Sequence, residues 1–277
     1  MSTFNGPFTG GPTLNDGFTM PWLGLGVWQV GDDEAASAVR TAIELGYRSI
    51  DTAAAYKNEA GVAQGIRDSG VAREELFITT KLWNSDQGYE ETLKAFEESR
   101  RKLGLEQLDL YLIHWPVKDK YRESWKALVH LQKEGLVKSI GVSNFQPHHL
   151  NEIIEDTGVV PAVDQVEFHP LLSQRDLLAY AKERGIQLEA WSPLMQGHLD
   201  LPLLQELAAK YERTPAQIVL RWDIQQGVIT IPKSVHEKRI RENAGIFDFT
   251  LSDEDVTAIE GLNKNSRFGP DPDNFNF

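Results

Sequence analysis

A chain of 277 residues, 41% hydrophobic and 25% charged, lies far from the composition of disordered segments and has the length of one α/β barrel. The absence of cysteine excludes disulfides, thiolate metal sites, iron–sulfur clusters and cysteine nucleophiles, and a formal net charge of -13 leaves no global attraction for nucleic acid, which is not an expected partner. No stretch joins a basic start to an apolar run or approaches the length of a bilayer span, so a cytoplasmic protein with no membrane partner is expected.

In chain order, Asn15-Asp16-Gly17 between Thr13-Leu14 and Phe18-Thr19 predicts a tight hairpin able to plug the floor of a barrel. The glycine-rich run 23–28 is the first strand candidate, and Asp32-Asp33-Glu34 open an amphipathic stretch reaching Leu45. One pattern then recurs: an amphipathic stretch ends at a glycine, and a β-branched or aromatic run follows. The glycines are Gly46, Gly70, Gly104, Gly135, Gly158, Gly185 and Gly227, preceding strand candidates that close at 51, 81, 114, 142, 169, 191 and 232. A glycine just past a helix supplies the left-handed conformation that turns the chain back toward a sheet. Thr214-Pro215 open a helix to Gln226, residues 251–262 form one more helix, and the tail 263–277 is irregular.

Eight strand–helix units predict the α/β class and a (β/α)8 TIM barrel, one domain over 1–277, with an N-terminal β-hairpin and a C-terminal extra helix and tail. An open doubly wound sheet would need a Gly-x-Gly-x-x-Gly turn for a dinucleotide. Gly24-Leu25-Gly26 is followed by Val27-Trp28-Gln29, so the third glycine is missing.

In such barrels chemistry gathers where strands end. Strand two closes at Asp51, with Tyr56 in the next loop, strand three at Lys81 and strand four at His114. Strand five closes at Ser143-Asn144, strand six carries Gln165, Glu167 and His169, strand seven closes at Trp191-Ser192 and strand eight at Lys233-Ser234. Singly, each has a plain structural explanation: Asp51 capping a helix, Lys81 and Tyr56 on a solvated rim, His114 in the core beside Trp115. Four ionisable types on consecutive strand ends are better explained as a functional cluster, because an unpaired lysine or aspartate is costly to bury. Trp28, Trp83 and Trp115 follow strands one, three and four and, with Trp191, would wall an aromatic substrate pocket; core packing is the alternative for each. Phe268, Phe275 and Phe277 of the tail would fold over that pocket.

Lys233-Ser234-Val235 are expected to open a helix carrying His236, Lys238, Arg239 and Arg241 in an otherwise acidic chain. Cations oppose the dipole at a helix start, so a bound anion is the better explanation than a solvated positive face.

The run Asp51-Thr52-Ala53-Ala54-Ala55-Tyr56, Lys81, Leu112-Ile113-His114-Trp115-Pro116, Ile140-Gly141-Val142-Ser143-Asn144-Phe145 and Ile231-Pro232-Lys233-Ser234 with Arg239, Glu242 and Asn243 resemble the aldo-keto reductases over essentially the whole chain. Among subgroups the sequence is most similar to compact prokaryotic enzymes reducing diketogluconate, glyoxal or methylglyoxal. The resemblance implies NADPH-dependent reduction of a small-molecule carbonyl, an aldehyde, ketone, dicarbonyl or keto sugar, to an alcohol, with Tyr56 giving the proton and Asp51, Lys81 and His114 completing the catalytic set. It further implies that Ser143, Asn144 and Gln165 hold the nicotinamide carboxamide, that Trp191 stacks on its face, and that Ser192 and Val235 belong to the cofactor site. Lys233 and Arg239 would meet the 2′-phosphate, which favours NADPH over NADH, Glu242 and Asn243 the adenine, and Ser234 also belongs to the cofactor site. Asp164 departs from the family's more usual Asn.

A phenol has a reference pKa of about 10; an ammonium roughly 4 Å away at an effective dielectric of about 20 would favour the phenolate by about 4 kcal/mol, or about three units, with burial opposing. A metal-dependent hydrolase is the first rival, but His148 and His149 adjoin at a helix start and should point apart, so no metal is expected. The second is a nicotinamide-binding regulatory subunit with little turnover, disfavoured by the intact set of four. A monomer is the expected state.

Overall fold

The computed structural model describes residues 10–275. Its strands are β1 (Leu25–Gly26), β2 (Ser49–Asp51), β3 (Phe77–Leu82), β4 (Leu108–Ile113), β5 (Val137–Ser143), β6 (Val163–Glu167), β7 (Gln187–Trp191) and β8 (Ile229–Thr230). The helices are α1 (Asp32–Glu44), α2 (Glu59–Ser69), α3 (Tyr89–Leu103), α4 (Tyr121–Lys133), α5 (Pro147–Thr157), α6 (Arg175–Arg184), α7 (Pro202–Tyr211), α8 (Pro215–Gln225), α9 (Glu237–Ala244) and α10 (Asp253–Glu260). All seven pairings between consecutive strands are parallel. The bridges Leu23↔Thr230 and Gly26↔Lys233 join β1 to β8 and close the (β/α)8 barrel.

The seven punctuating glycines all take left-handed backbone, with φ from 64° at Gly104 to 104° at Gly46. Another glycine sets a contact: a Cβ on Gly141 would lie 2.4 Å from the Val163 carbonyl oxygen, so β5 approaches β6 only because that residue has no side chain. Strands one and eight are shorter than the sequence suggests. Pro232 has no N–H for the ladder, and Gly24 and Gly26 donate singly to Thr230 and Pro232 carbonyls at 3.0 and 3.3 Å.

Thr13 bridges Thr19, forming the expected hairpin. Its Leu14 and Met20 are buried among Phe77, Leu110, Leu112, Val163 and Ile229, residues of the lower barrel interior, and Asn15 Nδ2 donates to Pro161 O at 2.9 Å. The N-terminal mouth is thereby closed. A larger apolar cluster fills the layer between strands and helices. The β7–β8 connection carries two helices, the second opened by a capping box in which Thr214 Oγ1 accepts Gln217 N–H and Gln217 Oε1 accepts Thr214 N–H. Ser252 caps α10 by accepting Asp255 N–H at 3.2 Å. The tail to residue 275 contains no helix or strand. Among the described residues no helix is long and apolar enough to cross a membrane.

Candidate active site

At the opposite end of the barrel the strand termini surround a cavity of about 1820 Å³. At its base Lys81, on β3, is wholly buried and its Nζ donates to Asp51 Oδ1 on β2 at 2.6 Å, to Thr52 O at 3.0 Å and to Tyr56 OH at 3.5 Å. Tyr56 reaches that point because a short 3-10 turn, Ala54–Tyr56, follows β2 directly and ends at Lys57 with φ 56°. His114, the residue after β4, sets its ring edge-on to Tyr56 and to Trp83, with centroids 5.7 and 5.2 Å away.

Burial is the largest influence on the Tyr56 phenol and raises its pKa; the attraction of Lys81 lowers it but does not reverse the sign. The balance therefore falls on the side of the neutral phenol. Burial depresses Lys81, but Asp51, together with Tyr56 and Glu189, more than offsets this and the ammonium stays charged. His114 is pushed well below the usual imidazole range by burial and then by Lys81, which holds the ring neutral. Its Nδ1 has no partner within the described residues.

Ser143 ends β5 and gives its hydroxyl hydrogen to Gln165 O at 2.7 Å. Asn144, in left-handed backbone at φ 64°, donates to His114 O at 3.0 Å and accepts the Trp191 indole N–H at 2.8 Å. Gln165 Nε2 donates to Asp51 Oδ2 at 2.7 Å and to Glu189 Oε2 at 2.8 Å. All four residues line the cavity, as does Ser192, another left-handed residue at φ 51°. An indole on the wall and a glutamine whose two amide hydrogens are already taken, leaving its oxygen, suit a flat ring bearing a carboxamide.

Toward α9 the same cavity is lined by Lys233, Ser234, Lys238, Arg239, Glu242 and Asn243. One correction arises here. The helix starts at Glu237 with His236 as its cap, so Lys233, Ser234 and Val235 precede it, and the first turn carries an acid that pairs with Arg241 at 3.0 Å. The Val235 side chain packs against the core, which leaves its backbone as the part that could face a cofactor.

Trp28, Trp83 and Trp115 all reach the cavity; Trp28 is half exposed at its mouth, whereas Trp115 is buried and lies 4.7 Å from Phe275 between centroids. Phe268 also lines it, and Phe277 lies outside the described residues. The tail is held by Glu167, whose carboxylate accepts Phe268 N–H at 2.6 Å and Gly269 N–H at 3.1 Å, with His169 Nε2 at 3.0 Å. Gly269 sits against Trp191: a Cβ there would lie 2.4 Å from Cη2.

The expectation that His148 and His149 diverge is incorrect. Their ring centroids are 3.9 Å apart and both Nε2 atoms face Asp273, at 3.2 and 3.8 Å. His149 Nδ1 accepts Gln146 N–H at 3.1 Å, which leaves the hydrogen of the neutral ring on Nε2, turned toward the carboxylate. Two other residues escaped the sequence reading: Glu189 and Gly269. Glu189 was detectable in principle, because it shares the period-two face of β7 with Trp191. Gly269 carries no local signal.

The profile of the Aldo/keto reductase family matches residues 22–264. The chain is 60% identical over 266 residues to a glyoxal reductase of Bacillus subtilis, covering 95% of this chain and 96% of that protein. It is 52% identical over 267 residues to the methylglyoxal reductase DkgA of Escherichia coli K12, with 95% and 96% covered. Among solved structures, Gox0644 in its apo form superposes with a TM-score of 0.94 at 50% identity, covering 97% of this chain and 99% of that one. A mutant of Gox0644 in complex with NADPH gives 0.93 at 49%, with the same coverage.

Proposed function

The chain belongs to the aldo/keto reductase family and is an NADP-dependent oxidoreductase, and on that premise we propose that it reduces small aldehydes and dicarbonyls of the glyoxal and methylglyoxal type, with Tyr56 as the proton donor. The observation that carries the reading is the buried array Asp51–Lys81–Tyr56 opening beside a neutral His114 onto a cavity that continues to a basic rim. Bound NADPH supplies the hydride to the carbonyl carbon.

The residues of the chain account for the rest. His114 and the Tyr56 hydroxyl converge on the position of the carbonyl oxygen and polarise it. As negative charge develops there, the phenol O–H bond breaks and its proton passes to the oxygen, giving the alcohol. The phenolate left behind faces the Lys81 ammonium, which Asp51 holds in place, and it regains a proton from solvent when the product leaves. The raised pKa of Tyr56 keeps the donor protonated across the neutral range. Lys233, Ser234 and Arg239 take the 2′-phosphate, Ser143, Asn144 and Gln165 the carboxamide, and Trp191 the ring face. Trp28, Trp83 and Trp115 wall the substrate side. These contributions come from β1 through the tail, which supports treating the chain as one domain.

The test is loss of NADPH absorbance with glyoxal, methylglyoxal, phenylglyoxal, simple aldehydes and keto sugars, beside Tyr56→Phe and an NADH control. Turnover that prefers NADPH and disappears in the variant supports the assignment. NADPH binding with no turnover across the panel overturns it in favour of a binding subunit.

A further inference from the structure

Glu189 has no part in the chemistry above, yet it is wholly buried inside the barrel at the level of the reacting groups. Packing alone does not explain it. An apolar side chain would fill that volume without the cost of desolvating a carboxyl group, and Glu189 Oε1 has no partner within the described residues.

Its position is defined by the sheet. Gln165 on β6 and Glu189 on β7 are Cα partners, so the two side chains stand next to each other. Glu189 Oε2 accepts one hydrogen of Gln165 Nε2 at 2.8 Å, and Asp51 Oδ2 accepts the other at 2.7 Å. The primary amide has only two hydrogens, and both are therefore bound by carboxyl groups below the cavity. The reversed amide would set its oxygen against the Asp51 carboxylate, where no hydrogen bond can form. Removing Glu189 frees one hydrogen and leaves the amide held by Asp51 alone.

We propose that Glu189 is a positioning residue for the nicotinamide end of the cofactor: together with Asp51 it clamps the Gln165 amide so that its oxygen faces the cavity as the acceptor for a carboxamide N–H. The inference rests on the NADPH reading. It also divides the labour of Asp51, which orients Lys81 through Oδ1 and Gln165 through Oδ2, so that one carboxylate sets both the proton donor and the carboxamide acceptor. The charged groups facing Glu189 are Asp51 on β2 and Lys81 on β3, with Tyr56 beyond them.

The experiment is equilibrium binding, not turnover, of three probes: NADPH, its acetylpyridine analogue, in which a methyl group replaces the carboxamide nitrogen, and adenosine 2′,5′-bisphosphate, which lacks the nicotinamide. Glu189→Leu should weaken NADPH by about threefold to tenfold, the scale of one hydrogen bond, and leave the bisphosphate within about twofold. The gap between variant and wild type should close for the analogue. Glu189→Gln, whose amide oxygen still accepts, should restore NADPH affinity to within about twofold of wild type.

Unchanged NADPH affinity in Glu189→Leu, or a loss shared equally by the bisphosphate, overturns the inference. If Glu189→Leu does not fold, wild type decides: it should bind the analogue less tightly than NADPH by at least about threefold, and equal affinities refute an acceptor at Gln165. Failure of wild type to bind NADPH or the bisphosphate would instead defeat the cofactor reading.

Discussion

Lys81 Nζ stands 2.6 Å from Asp51 Oδ1 and 3.5 Å from Tyr56 OH, so the buried ammonium belongs first to the carboxylate and only second to the phenol. Lys81→Met consequently strands Asp51, itself 2% exposed, without its counter-charge. The expected loss in urea unfolding is about 3–5 kcal/mol, with much of it recovered in the double variant carrying Asp51→Asn as well. Additive losses would show that the pair is not coupled.

Tyr56→Phe keeps the ring beside His114 and removes the transferable proton. Its turnover should fall by roughly 10²–10⁴-fold while NADPH affinity stays near wild type, because no predicted cofactor contact involves the hydroxyl. A steady-state rate combined with a direct NADPH titration separates the two quantities.

Burial, then the nearby Asp51, push Glu189 from 4.5 up to about 8. Between those values the native state holds a proton that the unfolded chain has released, so this group's contribution to stability falls as pH rises through the window and levels off above it. Glu189→Gln has no such titration. The melting temperature of the variant minus that of wild type should therefore climb between pH 5 and pH 9, by about 2 °C for each kcal/mol involved. Other buried acids, such as Asp164 and Asp223, cancel in this difference; parallel melting curves would mean that Glu189 is not protonated in the fold.

Gly269→Ala should disturb the cavity from outside it. The new Cβ meets Trp191 Cη2 at 2.4 Å and Cζ3 at 3.1 Å, so either the indole or the tail must move, at a cost of about 1–3 kcal/mol. Weaker NADPH binding with unchanged affinity for adenosine 2′,5′-bisphosphate is the expected signature.

At the basic rim, Lys233 and Arg239 are exposed and can serve a 2′-phosphate without disturbing the core. Lys233→Ala or Arg239→Ala should each raise KM for NADPH by about tenfold, and leave that for NADH nearly unchanged. Equal effects on both cofactors would remove the 2′-phosphate from the account.

The barrel was legible in the sequence because seven amphipathic stretches run out at a glycine and seven strands close at polar residues, both local signals. Asp51, Tyr56, Lys81 and His114 follow from the second signal, and the structure brings them together. What stayed hidden depends on partners distant in the chain. Pro232 shortens β8 by withholding a ladder donor, and Glu237 starts α9 later than the basic run suggests. The convergence of His148 and His149 depends on Asp273, and the meaning of Glu189 on Gln165 and Asp51 together. Gly269 matters only because the tail crosses Trp191.

Among the described residues, the floor plugged by Leu14 and Met20 makes the barrel a vessel open at its other end. Gln165, Ser143 and Asn144 lie deep in it and Trp28 stands at its lip, so a dinucleotide laid on the inner wall is covered by whatever arrives afterwards. On the proposed reading traffic should be last in, first out: the alcohol departing before the spent coenzyme, with coenzyme release setting the pace of repeated cycles.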